Sequence, residues 1–455
     1  MRFAAVGLVT ALALHAGCGP AGAYACRSDD QCTDAGASGR CEASGFCSFP
    51  DPQCESGQRF GEHSGDGLGG TCVPVDATSS GPPGTATSTT GVVTTTDSGG
   101  SSATSIDIDP TASSSSTTDG CSASWDDCGH PSRRSLLIAG GPGELDRFPV
   151  PVTLAPDVLA GYPGLDPTSL RVFDELGNAL PFDIERYDPT STSLLWISVP
   201  ALTASATTIF LYYGGEPLTP LLDPALVWLG EFVEVWHLDA SMGRVGERVL
   251  APDNVTIEAG LLGSASRFDG SDSRLAVSRL PLFPPVVTLS AWIYPDDWGE
   301  IGYGRVFDSR NNPGGGNGFS LLIADGEFNN NTIAFVHGCE SGDAEWVAGD
   351  DAIARGQWQH VAVTYDPSSS DNAPMIFVDG IQVEVEQFIG NGCVGLDPNP
   401  TFAIGNVGNT LQRGFDGLID ESRISLGAHD PVWIAYEYAS AQPGFVTIGD
   451  ETPQP

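Results

Sequence analysis

Residues 358–365 read Trp358-Gln-His-Val-Ala-Val-Thr-Tyr365, and after a polar stretch comes Met375-Ile-Phe-Val-Asp-Gly380. Short runs rich in β-branched and aromatic residues, alternating apolar with polar, carry the period of a β-strand. Asp379-Gly380 closes the second run, and its glycine supplies the positive φ that a tight hairpin needs. The same pattern extends in both directions. Upstream it returns in Thr288-Leu-Ser-Ala-Trp-Ile-Tyr294, Thr208-Ile-Phe-Leu-Tyr-Tyr213, Leu194-Leu-Trp-Ile-Ser-Val199, Leu170-Arg-Val-Phe173 and Phe148-Pro-Val-Pro-Val-Thr-Leu154. Gly, Pro, Asp and Asn separate the runs, as in Asp174-Glu-Leu-Gly-Asn178, and mark turns. Helical periodicity is nearly absent, with one short candidate near Pro431-Val-Trp-Ile-Ala-Tyr-Glu-Tyr438. Many short strands with regular turns predict an all-β chain built of two-sheet sandwiches.

Outside this β-rich region the composition changes. Residues 73–120 are a Ser/Thr/Gly/Pro tract, too poor in apolar side chains to fold, and read as a flexible linker reaching roughly 40 Å. Before it, residues 26–72 hold six cysteines (26, 32, 41, 47, 54, 72) and few aliphatics, so disulfides must hold that module together. Residues 1–17 read as a signal peptide, since Phe3 to Leu14 is apolar but shorter than the roughly 20 residues that span a bilayer. Ala16-Gly17-Cys18 ends like a bacterial lipobox, with Cys18 as the lipidated residue; cleavage after Ala23, in Ala21-Gly22-Ala23, is the alternative.

Eleven cysteines are present. Setting Cys18 aside leaves even clusters: the six above, Cys121 with Cys128, and Cys339 with Cys393. Even clusters suit disulfides in an oxidising compartment. A bond between Cys339 and Cys393 would close a loop across two strands.

The net charge is −39, and all 19 basic residues are arginine. Such an excess of carboxylates repels phosphate backbones, so nucleic-acid partners are excluded, as is docking on anionic lipid. Membrane association is then expected only through an N-terminal lipid anchor. The location is extracytoplasmic: an outer-membrane or cell-surface lipoprotein, or a secreted chain.

Two longer stretches resemble known families. Trp236-His-Leu-Asp239, Ala265-Ser-Arg-Phe-Asp-Gly270, Leu289-Ser-Ala-Trp292, Trp358-Gln-His-Val-Ala362 and Val378-Asp-Gly380 resemble the laminin-G-like, concanavalin A-like jelly-roll modules of bacterial surface proteins, as do Phe415-Asp-Gly-Leu-Ile-Asp-Glu421 and Ile448-Gly-Asp-Glu451. Residues 125–215 are similar to the domain of unknown function that often precedes such modules, through Trp125, Phe148-Pro149, Leu170-Arg-Val-Phe173, Phe182-Asp-Ile-Glu185, Trp196 through Pro200 and Tyr212-Tyr-Gly214. The Cys-rich module resembles short N-terminal modules of predatory soil and marine bacteria. The resemblance implies a β-domain at 121–227, a jelly roll at 228–451, and binding rather than catalysis.

Catalytic motifs fail at the level of sites. Glycosidases need two carboxyls at a set separation. Glu231 and Glu234 fall on opposite strand faces, Glu384 and Glu386 read as a solvated face, and Asp420 and Glu421 are adjacent and so expected to point opposite ways. There is no Gly-x-Ser-x-Gly elbow and no His-x-x-x-His pair, and His237 and His360 read as packed core histidines.

Binding residues are easier to nominate. Trp298, Tyr303 and Trp346 stand in polar, loop-like stretches and would suit stacking on a sugar ring, against the alternative of burial under a loop. Asp239, Asp269, Asp416 and Asp420 are candidates for a structural calcium ion, against the plainer role of capping turns. The expected function is a surface-displayed adhesion or binding protein whose lectin-like module contacts a glycan or a surface protein. A structural envelope component and a secreted glycan-degrading enzyme are the alternatives.

The even clustering carries an expected outcome. Protein purified from the envelope, denatured but unreduced, should show no reactive thiol; one or more equivalents would break the disulfide framework.

Overall fold

The computed structural model describes residues 32–34, 37–42, 47–51, 54, 56–61 and 71–73, and then 125–455 apart from 163, 218–223, 229–231, 240–241, 247, 279, 281–285, 311–316, 327–329, 340–341, 391–393 and 395–400. The signal segment 1–17, Cys18, the site after Ala23, Cys26, nearly all of the linker, Cys121 and Cys393 lie outside these residues. The chain divides into two units, 1–110 and 111–455.

In the first unit, β1 (Thr33–Asp34) pairs with β2 (Ala37–Ser38), and β3 (Arg40–Cys41), β4 (Cys47–Pro50) and β5 (Gln58–Phe60) form a second small sheet. Disulfides join Cys32 to Cys47 and Cys54 to Cys72. Phe60 is the one large aromatic buried there among the described residues, so cross-links do the work a core would otherwise do.

The second unit holds two sandwiches. The first uses β6 (Ser132–Ile138), β7 (Leu145–Leu154), β8 (Arg171–Asp174), β9 (Phe182–Arg186), β10 (Ser193–Leu202) and β11 (Thr207–Tyr213). Its sheets run β7-β10-β9 and β28-β6-β11-β8, around Ile138, Phe148, Val150, Val172, Ile197 and Leu211. β7 carries Pro149 and Pro151, and it is an edge strand, where a missing N–H is tolerated.

The second sandwich begins with β12 (Phe232–Trp236), β13 (Ala251–Asp253), β14 (Thr256–Ala259), β15 (Ser264–Asp269), β16 (Arg274–Ser278) and β17 (Val287–Asp297). It continues through β18 (Tyr303–Asp308), β19 (Gly318–Ala324), β20 (Thr332–Cys339), β21 (Gly342–Ala348), β22 (Gln359–Tyr365) and β23 (Met375–Val378). It ends with β24 (Ile381–Val383), β25 (Val385–Ile389), β26 (Thr401–Ile404) and β27 (Asp416–Leu426). One sheet runs β14-β15-β27-β17-β22-β23-β24 with β12 also on β27, and the other β13-β16-β26-β18-β19-β20-β21-β25. All pairings are antiparallel, and the core between the sheets includes Trp236, Leu289, Phe319, Phe335, Tyr365 and Ile419. The Asp379-Gly380 turn forms as expected: both residues have positive φ, 50° and 76°, and Val378 opposes Ile381. Cys128 and Cys339 are each disulfide-bonded; their expected partners are outside the described residues.

The helix α1 (Pro431–Ser440) starts where Asp430 accepts a hydrogen bond from the Trp433 amide, with Pro431 in its first turn, an arrangement that satisfies N-terminal amides. It bridges the sandwiches. Tyr436 enters the first core, and its hydroxyl donates to the carbonyls of Gly143 and Thr203 at 2.8 and 3.1 Å. Ile434 packs on Ala362 and Phe377 of the second sandwich. The chain then ends in β28 (Val446–Pro453), which pairs with β6. The family resemblance places Ile448-Gly-Asp-Glu451 in the C-terminal module, whereas the strand's hydrogen bonds lie in the sheet of the first sandwich.

Truncation after Phe445 should therefore damage the first sandwich. Losing the β6 partner strand with the packing of Val446 and Ile448 is expected to cost about 3 kcal/mol or more. Urea unfolding of the truncated chain would show it as a lower midpoint, and an unchanged midpoint would mean that β28 contributes no stability.

Candidate functional site

The three aromatics nominated for stacking are not exposed platforms. Trp298 is 7% exposed and belongs to the main core, with the Arg355 guanidinium 5.6 Å from its ring. Tyr303 is half-buried, under Arg413 at 4.7 Å. Trp346 is 2% exposed and packs on Tyr365 and Phe335 at 5.4 and 6.4 Å. The reason is strand alternation: Trp346 sits on β21 with its side chain directed between the sheets, although its sequence neighbours are polar.

Trp346 nevertheless borders a cavity of about 450 Å³, lined also by Ser370, Asp371, Asn372, Ala373, Val385 and Gln387. Trp346 and Gln387 are register partners on β21 and β25, so they share a face, and Val385 lies on it too. The opposite wall is the loop after β22. That loop is braced from within: Asn372 Nδ2 donates to the Asp366 carbonyl at 2.9 Å, and the Asp371 amide donates to Ser369 Oγ at 3.2 Å. Gln387 Nε2 donates to the Gly390 carbonyl at 2.8 Å. The lining thus brings together a tryptophan, two residues with amide side chains, one with a hydroxyl and one with a carboxylate. Trp298 and Tyr303 do not line it.

The four aspartates nominated for calcium are not gathered around one point. Asp269 Oδ1 accepts from the amides of Ser271 and Ser273 at 2.9 and 3.2 Å, the turn role. Asp416 opposes it across β15 and β27, and burial and the charges of Asp296 and Asp297 push the Asp416 carboxyl up. Asp420 is fully buried and accepts from the amides of Leu261 and Leu262, both at 3.0 Å. Asp239 is half-buried and close enough to Glu185 to repel it.

Among the described residues the group of three that could hold an ion is a different one: Glu185, His237 and Glu421, with ligand atoms within 4.8 Å of one another. It lies in the seam between the sandwiches. β9 sends Phe182 into the first core and Asp183 and Glu185 the other way. β10 does the same with Leu195 and Ile197 inward and Leu194 and Trp196 toward the seam. From the second sandwich come His237 after β12, and Asp420, Glu421 and Arg423 on β27. Glu421 has φ 49°, and the β17–β27 register shifts there. This is a β-bulge, and a bulge undoes strict alternation. Asp420 and Glu421, expected to point apart, therefore both face the seam, where they repel one another beside Glu185 and His237.

The contacts are dense. His237 Nδ1 stands 2.8 and 3.0 Å from the two Glu421 oxygens and 3.4 Å from Glu185 Oε2. Its ring stacks on Trp196, which donates to Glu185 Oε2 at 2.7 Å. Arg423 donates to Glu421 at 3.1 Å and to Glu437 of α1 at 3.3 Å, and lies over the Trp196 ring. Glu437 also accepts from Trp433 at 3.2 Å and faces His360 at 3.4 Å. Burial pushes the Glu185 carboxyl up to about 8, helped by Glu421 and opposed by His237. Burial alone would lower His237, but the charges of Glu421 and Glu185 raise it to about 10.

Two family matches cover this region. Residues 269–435 match the concanavalin A-like lectin/glucanases superfamily, and residues 166–235 match a domain of unknown function. The chain carries both domains in the order the sequence resemblance implied. No curated protein matches the chain.

Similar solved structures include domain 4 of AbnA, a GH43 extracellular arabinanase from Geobacillus stearothermophilus, in complex with arabinotriose; it is 19% identical, covers 47% of this chain and 98% of its own, and has a TM-score of 0.36. The binding domain of Paraclostridial Mosquitocidal Protein 1 is 16% identical, covers 46% of this chain and 52% of its own, with a TM-score of 0.37. The botulinum neurotoxin serotype D/C binding domain is also 16% identical, covers 47% and 53%, and has a TM-score of 0.37. This chain spans about half the length of each toxin domain.

Burial would raise Glu437, but its hydrogen bond to His360 and the charges of Arg423 and the histidines hold it down to about 2. A depressed carboxyl stabilises the fold fully above its ordinary value and loses that contribution as pH falls through the folded value. The window is therefore about pH 4.5 to 2, and the contribution on the order of 3 kcal/mol. Glu437→Gln is expected to be less stable at neutral pH and to show a shallower acid loss than the native chain. Urea unfolding across that pH range checks it, and parallel acid profiles would count against it.

Proposed function

We propose that this chain is an extracytoplasmic, surface-displayed binding protein, and that its C-terminal lectin-like module takes a glycan in the cavity beside Trp346. The observation that carries the proposal is the composition of that cavity. Trp346 and Val385 offer apolar surface for a sugar ring, while Ser370, Asp371, Asn372 and Gln387 offer donors and acceptors for its hydroxyls. The braced loop loses little entropy when a ligand arrives. No basic side chain is among the lining residues, so an uncharged glycan suits it better than an acidic one.

A binding role is favoured over hydrolysis by the same lining. It contains one carboxylate, Asp371, whereas the usual glycosidases use two. The family description spans both lectins and glucanases, so the site has to decide. Display rests on the sequence: the leader, the lipobox-like Cys18 and the linker at 73–120 would export the chain and hold the module away from the envelope.

The test is a glycan array probed with the full chain, followed by titration of the best binder against Asp371→Ala and Gln387→Ala. Each substitution removes a hydrogen-bonding group at the rim and is expected to weaken binding about tenfold. Trp346→Ala is a poor probe, since emptying a core position costs about 3–5 kcal/mol. Binding that ignores both rim substitutions would move the site elsewhere, and no binding to any glycan would favour a structural envelope role.

A further inference from the structure

The seam cluster raises a separate question, because the charges there are crowded in a way a proton does not resolve. His237 Nδ1 can carry a single N–H, which points along one line. Three carboxylate oxygens from two residues stand around it, at 2.8, 3.0 and 3.4 Å. One hydrogen serves one of them well. A small dication in place of that hydrogen would serve all of them at once.

The geometry fits such an ion. Donor atoms about 2.1 Å from a tetrahedral ion stand about 3.4 Å apart. Nδ1 and Glu185 Oε2 already have that separation; Nδ1 and Glu421 have to open by roughly half an ångström. Each donor is oriented by an outer partner. Trp196 Nε1 donates to Glu185 Oε2, and Arg423 donates to Glu421 Oε2, leaving Oε1 turned to the ring. On the far side of the imidazole, Nε2 faces Asp183 Oδ2 at 3.8 Å, and that carboxylate is held by Trp228 at 3.2 Å. Outer carboxylates and donors arranged this way are what metal-ligating side chains carry.

A second observation is independent of these contacts. Glu185 Oε1, the second oxygen of a proposed ligand, is buried without a hydrogen-bond partner. Glu185, His237 and Glu421 are each at least nine-tenths buried. Buried polar atoms are rarely left so.

We propose that Glu185, His237 and Glu421 bind a zinc ion that ties the two sandwiches together. One imidazole with two carboxylates is an N/O donor set for a transition metal; calcium takes oxygen donors only. Glu421 supplies Oε1, its Oε2 being held by Arg423, and Glu185 Oε2 and His237 Nδ1 supply one donor each. The walls are Trp196 and Trp228, with rings 5.4 and 5.6 Å from the imidazole. All three ligand residues are buried, which suits an ion that ties the domains together and not one that meets a substrate. Its donors come from both domains, so the ion enters as the domains come together and is retained afterwards. Zinc displaces the proton on Nδ1, as metal binding to histidine requires.

The full chain, dialysed exhaustively against metal-free buffer, should contain one equivalent of zinc by mass spectrometry of total metal. Unfolded in guanidinium with EDTA, disulfides intact, and refolded with or without zinc, it should melt about 5 °C or more higher with zinc. His237→Gln should lose the metal while Asp269→Asn keeps it. Absence of any transition metal together with identical melting after both refoldings overturns the proposal. So does zinc taken up equally by His237→Gln. A different dication, lost in His237→Gln, overturns the choice of zinc. Should His237→Gln fail to fold, the two refoldings of the native chain decide alone.

Discussion

The contact between His237 and Glu421, with Glu185 and Asp183 pressing in from the neighbouring domain, sets the arrangement of the whole second unit. Burying charge is expensive, and an ion pair is tolerable in the interior only when its partners are in place. Here the carboxylates of β9 belong to one sandwich and the imidazole to the other. Separating the domains would leave Asp183 and Glu185 on one surface and His237 with Glu421 on the other, each stripped of its contacts, and would uncover Trp196 and Trp228. That combination makes a rotated or slipped interface costly, because removing one member of a buried set leaves the rest uncompensated. α1 extends the same logic: Arg423 reaches Glu437, and Tyr436 carries the helix into the other core.

One consequence concerns which surfaces remain for binding. The sheet containing β12, β17, β22 and β27 is committed to the seam and to α1, through His237, Arg423, Ala362 and Phe377. The other sheet keeps its edge at β25, and the loop from Asp366 to Ala373 closes over that edge. The cavity beside Trp346 lies there, built from two strands and a loop braced by its own hydrogen bonds. A recognition site gains from this division of labour, since the polar groups meant for a ligand are held by elements that binding does not need to reorganise.

Much of this was legible in the amino-acid sequence. Alternation in Trp358–Tyr365, the positive φ that Gly380 supplies and the short helical candidate near Pro431–Tyr438 all follow from local rules, and local rules decide local structure. The seam was not legible. Phe182-Asp-Ile-Glu185 has the alternation of a half-solvated strand, and nothing within five residues says that its polar face meets another domain. A trace exists in Leu194-Leu-Trp-Ile197, whose unbroken apolar run is that of a strand buried on both faces. The bulge at Glu421 defeated the rule that adjacent side chains diverge. Polar neighbours describe the surroundings along the chain, while β21 places the Trp346 indole between the sheets, and Trp298, in the loop just past β17, folds back into the same core. The cluster of Glu185, His237 and Glu421 spans more than two hundred residues, and no motif spacing reaches that far.

The topology adds a constraint on folding that the list of contacts does not display. β28 completes a sheet begun by β6, and Ser132 donates to Glu451 at 2.7 Å across 319 residues of chain. The second sandwich is thus inserted between β11 and the last strand of the first. Until that insert has folded and α1 has docked, β6 lacks its outer partner and the polar face of β9 lacks the groups that satisfy it. Pairings this distant in sequence form late, because loop closure must precede the contacts that reward it. The inserted sandwich contains most of its own pairings within one continuous stretch and can form ahead of the first. The first sandwich then closes onto it, and the two lose their structure together when either seam or closing strand fails.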